Sequence, residues 1–138
     1  MIDIKELNIG NKVKYKDSIV EIAATHLTSH VGILGAFQSM IVSVKCEEIE
    51  PIKVTEELLL KIGFEERYSP IVDGLYSIQI DTFYIEIEVR FTDENEQILF
   101  CKIYDEDCYQ IGKFKFQYLH ELQNGIRLVT KKDLEICL

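Results

Sequence analysis

Histidines, cysteines and paired carboxylates are the side chains in this chain whose spacing bears on chemistry. His120 and Glu121 sit in the stretch YLHELQNGIRLVT, residues 118–130. A His-Glu pair is the first half of the HExxH helix motif, in which two histidines one turn apart hold one zinc ion and the glutamate serves as base. One turn after His120 stands Asn124, a poor zinc ligand. The other histidines, His26 and His30, are four apart, a spacing that converges on a metal only from a helix. Their context, THLTSHVG, reads as non-helical, so no metal site is expected. The bland reading of His120 is a helix-surface histidine bonded to a neighbouring element.

The four cysteines, Cys46, Cys101, Cys108 and Cys137, form no CxxC, and the seven-residue separation of Cys101 and Cys108 matches no zinc knuckle. They read as reduced, buried or idle thiols. A small hydrolase pairing His120 with Glu121 or a cysteine would need His120 within hydrogen-bond reach of Cys101 or Cys108. GxxxxGK[ST], GxGxxG and GxSxG are all absent, and GILG is too short to cradle a pyrophosphate. Asp105, Glu106 and Asp107 lack the twelve-residue calcium-loop pattern and read as an acidic surface turn. Glu86 and Glu88 share a strand face expected to meet solvent, where a raised pKa is not expected. No catalytic residue, cofactor or metal is therefore predicted.

The elements that must position these side chains can be read from local pattern. IGNKVKYKDSIVEIAATHL gives a strand at about 12–16, a turn at Lys16-Asp17-Ser18 and a strand at about 19–27. THLTSHVGILGAF, with two glycines and several hydroxyls, reads as a loop, and a strand resumes at about 39–45. Three short strands with tight turns suggest a curled sheet of SH3 type. Pro51 separates this β unit from the rest of the chain. Thr55 is a good N-cap, Glu56 and Glu57 complement the helix dipole, and Gly63 sits where a left-handed residue ends a helix, which predicts a helix over 56–62.

ERYSPIVDG reads as a loop. LYSIQID, FYIEIEVRF and ILFCKIYD read as strands over about 75–104, with KFKF a short fourth. In the second strand Phe83, Ile85, Ile87, Val89 and Phe91 alternate with Tyr84, Glu86, Glu88 and Arg90, one face for a core and one for water.

Asn124-Gly125 is a strong hairpin signal, yet the residues before it do not alternate. Leu119, Leu122, Ile126 and Val129 are spaced three, four and three, a helical stripe. Four aligned apolar side chains offset the roughly 1 kcal/mol that glycine costs in a helix interior, so a helix is predicted over about 116–130. His120, Gln123, Asn124 and Arg127 then fall together on a neighbouring polar face. The expected fold class is α+β: a small SH3-like β unit at 1–50, then a unit at 51–138. The second unit holds a helix, an antiparallel sheet of three to four strands and a C-terminal helix. Whether the two share one core is open.

With 47% hydrophobic and 28% charged residues the chain has ordinary globular values, which argues against disorder over most of its 138 residues. A formal net charge of -9 argues against broad phosphate-backbone binding. The N-terminal residues show neither the apolar core of a signal peptide nor a bilayer-length apolar run, so a cytoplasmic location is expected.

LNIGNKVKY near the start, EEIEPIKVTEELLLKIGFE in the middle, and FQYLHELQN followed by TKKDLEI occur in that order. Together they resemble a family of small uncharacterised proteins carried by phages and mobile elements of gut anaerobic bacteria. The motifs cover about a third of the chain directly and frame nearly all of it. The resemblance implies architecture, a lineage and a helix at YLHELQN, and no established activity. The sequence departs from the family pattern at Leu58, where an aromatic often stands, and at Gly125, where a bulky apolar residue is usual.

These readings converge on a non-enzymatic protein-binding module, an accessory protein of a phage or mobile element with a protein partner. Its candidate contact face is His120, Gln123, Asn124 and Arg127. The alternative is nucleic-acid association through the N-terminal β unit, where Lys12, Lys14 and Lys16 lie beside Tyr15 on a short strand next to a turn.

Overall fold

A computed structural model describes residues 2–25, 30–35 and 40–137. The fold is α+β, and the chain divides into two compact units: Met1–Lys53 with Tyr118–Asn124, and Val54–Gln117 with Gly125–Leu138. The C-terminal segment therefore contributes to each unit in turn, so neither unit is one continuous stretch.

In the first unit five antiparallel strands, β1 (Lys12–Tyr15), β2 (Ser18–Thr25), β3 (His30–Gly35), β4 (Val42–Lys45) and β5 (Ile49–Glu50), lie in the order β4-β3-β2-β1-β5. Lys16 and Asp17 join β1 to β2 with positive φ at both residues, 46° and 64°. That is the turn whose twist matches a β-hairpin. A single 3-10 turn at Cys46–Glu48 leads into β5, which pairs back onto β1 through Lys14↔Glu50 and Tyr15↔Ile49. The sheet thus curls into a half-barrel. Its core is β-branched and apolar, with Val13, Ile22, Val31 and Ile49 sealed from solvent and Ile2 and Leu7 folded in from the N-terminus.

One expectation fails here. Much of the segment read as a loop is β3, in which Val31 and Ile33 point inward. Gly32, taken as a turn signal, is a packing residue. An added Cβ would lie 3.0 Å from the Ala24 Cβ and 2.7 Å from Ile41 Cγ2. Close approach of neighbouring strands is a second reason for glycine, and local sequence does not separate it from turn formation.

The second unit begins with α1 (Glu56–Ile62), whose bounds match the predicted helix. The Thr55 hydroxyl accepts from the Leu58 N–H at 3.2 Å. Gly63, at φ 119°, and Phe64 donate their N–H groups to carbonyls of the last turn, and Phe64 is buried. An antiparallel meander comes next: β6 (Glu65–Arg67), β7 (Gly74–Ile80), β8 (Phe83–Phe91), β9 (Gln97–Tyr104) and β10 (Gln110–Phe116), neighbours in sequence order.

The sheet has five strands where three to four were expected. The extra strand, β6, lies at the start of the stretch read as a loop. Its Glu-Glu-Arg has neither β-branching nor alternation, and its main chain is held by pairing with β7 from Glu65↔Ser77 to Arg67↔Leu75. One sheet face is core, with Tyr76, Ile85, Ile87, Val89, Leu99, Cys101 and Ile103 buried.

The final helix, α2 (Leu119–Thr130), starts three residues later than predicted. The Tyr118 N–H donates to Glu121 Oε1 at 2.9 Å, and the Leu119 N–H donates to the Ile52 carbonyl, fixing the start. Leu119, Leu122 and Ile126 are fully buried. Asn124-Gly125 is therefore mid-helix, and Gly125 answers a packing need: an added Cβ would overlap the Phe114 ring.

Candidate functional site

Of the four side chains expected to form a contact face, three are used within the first unit. His120 is 1% exposed, and its ring stacks on Tyr118 at 6.0 Å between centroids. Its Nε2 lies 3.6 Å from Glu6 Oε2, beyond hydrogen-bonding distance, and neither ring nitrogen has a hydrogen-bond partner. Burial pushes the His120 pKa below its ordinary value, and the nearby Glu121 and Glu6 only partly oppose this. The imidazole is neutral at pH 7. It is an interior group, which corrects both the contact-face and the helix-surface readings.

Gln123 and Asn124 clasp the chain before β1. Gln123 Oε1 accepts from the Lys12 N–H at 2.8 Å, and its Nε2 donates to the Gly10 carbonyl at 3.1 Å. Asn124 Oδ1 accepts from Asn11 Nδ2 at 2.7 Å, and its Nδ2 donates to the Glu6 carbonyl at 2.8 Å. Side-chain amides carry donor and acceptor together, so they can satisfy main-chain groups that no strand pairs. Arg127 is exposed, with its Nε 3.5 Å from Asp133 Oδ1 in the second unit.

The basic strand of the nucleic-acid reading is also answered internally. Lys12 Nζ is 3.8 Å from Glu21, Lys14 stands opposite Glu50 only in the β1–β5 register, and Tyr15 is half-buried against the core. Lys16 alone of the three lysines is exposed, with its ammonium 5.3 Å from the Tyr15 ring centroid. His26 lies outside the described residues.

Nucleophile chemistry finds little support. Cys101 is fully buried, and burial pushes its thiol well above the usual range. Cys46 is also buried, and burial, then Asp3 and Glu47, raise it. Without a hydrogen-bond partner on either ring nitrogen, His120 makes no Cys-His pair. The Glu121 carboxylate is engaged at the helix start. Among the described residues no cluster of three metal-ligating side chains occurs, and no helix is long and apolar enough to cross a membrane.

The second face of the five-stranded sheet carries the arrangement that sequence reading missed. Register places Glu65, Ser77, Glu86, Lys102 and Lys113 in a row across all five strands, with Arg67, Glu88, Phe100 and Lys115 in the row beside it and Arg90 beyond that. Glu88, expected in solvent, is only 7% exposed. Lys102 Nζ donates to its Oε1 at 2.5 Å, and Arg90 donates to its Oε2 at 3.2 Å. Burial alone would raise the Glu88 pKa, but these two cations outweigh it and hold the carboxyl below its ordinary value.

Glu86, half-buried, is pushed the other way by burial and by its neighbour Glu88, with Lys102 opposing. Alternation gave the correct face for both glutamates. It gave the wrong environment, because long neighbouring side chains cover them.

Around this network Tyr84 and Tyr104 lie 6.2 Å apart, and Lys113 Nζ sits 5.5 Å from the Phe100 ring centroid. At the β6 end Arg67, Ser77, Gln79 and Tyr84 line a cleft of about 190 Å3, with Arg67 Nε donating to Ser77 Oγ at 3.0 Å. A larger cleft of about 410 Å3 lies between the end of α1, the end of β7 and residues 133–137. Its aspartates are already paired, Asp81 with Lys132 at 3.4 Å and Asp133 with Arg127.

No family model, curated protein or solved structure matches this chain.

Proposed function

We propose that this chain is a non-enzymatic protein-binding module, an accessory protein of a phage or mobile element, and that it meets its protein partner through the open face of the β6–β10 sheet. The observation that carries this reading is the charge of that face. Arg67, Arg90, Lys102, Lys113 and Lys115 stand there against Glu65, Glu86 and Glu88, five basic groups to three acidic, in a chain of net charge -9.

Aromatic and arginine side chains beside half-buried polar groups are the composition that protein interfaces favour. Helix α1 and the part of α2 from Gly125 onward lie on the opposite face, where the Tyr76 phenol meets Glu56 and the Phe114 ring meets Gly125. The lineage rests on the resemblance of LNIGNKVKY, EEIEPIKVTEELLLKIGFE and FQYLHELQN to the phage-borne family.

The test is a tagged pull-down from the native host during element induction, run in parallel with a Tyr84→Ser, Tyr104→Ser variant. A partner captured by the native chain and lost with the variant is expected. A partner captured equally by the two would remove the open face from the reading.

A further inference from the structure

Resting on the protein-binding reading above, we infer that β10 is the docking strand, and that it takes a short extended segment of the partner bearing alternating carboxylates, added as a sixth strand. Three observations carry this.

First, β10 is a terminal strand, hydrogen-bonded to β9 alone within the sheet. It is seven residues long, whereas the strand at the other end, β6, has three. A strand edge presents a row of main-chain donors and acceptors, and an extended peptide added there gains affinity from them whatever its sequence.

Second, Lys113 and Lys115 are exposed, are two residues apart and therefore project to the same open face. Neither makes an ion pair among the described residues, unlike Lys102, which Glu88 already holds. Lys113 pairs directly across from Lys102 and Lys115 from Phe100. Two like charges directly opposite on a sheet destabilise it. In a chain with nine more acidic than basic residues, a glutamate at position 113 would relieve that repulsion, yet a lysine stands there. Carboxylates two apart on an added strand would lie beside Lys113 and Lys115 and supply the missing counter-charge.

Third, the basic strip is short and closed at both ends by acid. Asp93, Glu94 and Glu96 lie in the turn between β8 and β9, and Asp105, Glu106 and Asp107 lie in the turn between β9 and β10. A long polyanion such as a nucleic-acid strand would run into these carboxylates, and its affinity needs many neutralised phosphates. A segment with two or three carboxylates ends before them. The geometry therefore favours an acidic stretch of protein over a nucleic acid.

The experiment uses the full chain and three fluorescent probes at about 50 mM salt, where surface charges are weakly screened. The probes are an octapeptide alternating Glu with Val, its Lys-Val counterpart, and a short oligo-dT. Binding of the Glu-Val peptide alone is expected, with new exchange protection at β10 amides. A Lys113→Glu, Lys115→Glu variant should bind it at least tenfold more weakly, and a Lys113→Gln, Lys115→Gln variant should fall between. Lysines that serve only to keep an edge strand from aggregating would leave peptide affinity unchanged in both variants, which overturns the inference. Tighter binding of oligo-dT would also overturn it and assign the strip to nucleic acid. A native partner that survives the lysine reversal but is lost with the Tyr84→Ser, Tyr104→Ser variant sinks β10 docking while leaving the open-face reading intact.

Discussion

Replacing Gly125 with alanine should destabilise the second unit, against the direction that helix propensity gives. In an unobstructed helix interior the change stabilises by about 1 kcal/mol, because alanine restricts the unfolded chain and glycine does not. Here the new Cβ would stand 2.5 Å from Phe114 Cε2 and 2.6 Å from Cε1. The ring would have to retreat by roughly 1 Å to reach ordinary contact, and overpacking of that kind costs about 1–3 kcal/mol. The ring's retreat is limited by Phe116, 6.1 Å away between centroids.

The net expectation is a loss of about 1 kcal/mol, or a fall in Tm of about 2–4 °C. Urea unfolding followed by far-UV circular dichroism reads this as a lowered midpoint at unchanged slope. The decisive comparison is a double-mutant cycle. In a Phe114→Ala background the same Gly125→Ala change should stabilise by about 1 kcal/mol, giving a coupling of about 2 kcal/mol. A Gly125→Ala chain that is more stable than the native one, or a coupling near zero, would refute the packing account of this glycine.

Lys102→Met leaves the Glu88 carboxylate with Arg90 alone and should cost about 2 kcal/mol at pH 7, since removing one partner of a largely buried pair leaves a poorly compensated charge. Because Glu88 is held below its ordinary pKa of 4.5, its contribution is present above that pH and is lost as pH falls through the folded value. The deficit of the variant should therefore shrink at pH 3, and a deficit constant from pH 7 to pH 3 contradicts the pairing. His120 acts in a higher window. Its folded pKa lies below the unfolded 6.5, so the unfolded chain takes up the proton first and stability falls as pH drops from about 7 to 5. A His120→Phe chain should lose part of that decline in urea midpoints between those pH values, and an equally steep decline would count against the interior assignment.

How much was legible varied with how local the cause was. The α1 boundaries could be read because a threonine cap, two acidic residues and a left-handed glycine act within a single turn. The bounds of β8 came from strict alternation. For α2 the three-four-three apolar spacing outweighed an Asn-Gly turn signal, because burial of aligned leucines is worth more than one unfavourable glycine. In contrast, β6 was invisible, since main-chain pairing to β7 holds it and side-chain preference does not. Gly32 misled for a related reason, because the strand it needs to approach lies elsewhere in the chain.

The site shows the same division. Sequence by itself determined the α+β class, the two helices, the faces on which Glu86 and Glu88 lie, and the lack of a recognisable catalytic motif. It placed His120, Gln123, Asn124 and Arg127 near one another on a helix, but spacing along a helix says nothing about what stands opposite. Only tertiary structure decided that Asn11, Gly10 and Glu6 meet that face and turn Gln123 and Asn124 into an internal clasp. Only strand register brought Lys102 and Lys113 opposite each other, from segments that sequence shows as separate. A side chain's periodicity is fixed by its own neighbours in the chain, whereas its charge environment and burial belong to whichever segment folds against it.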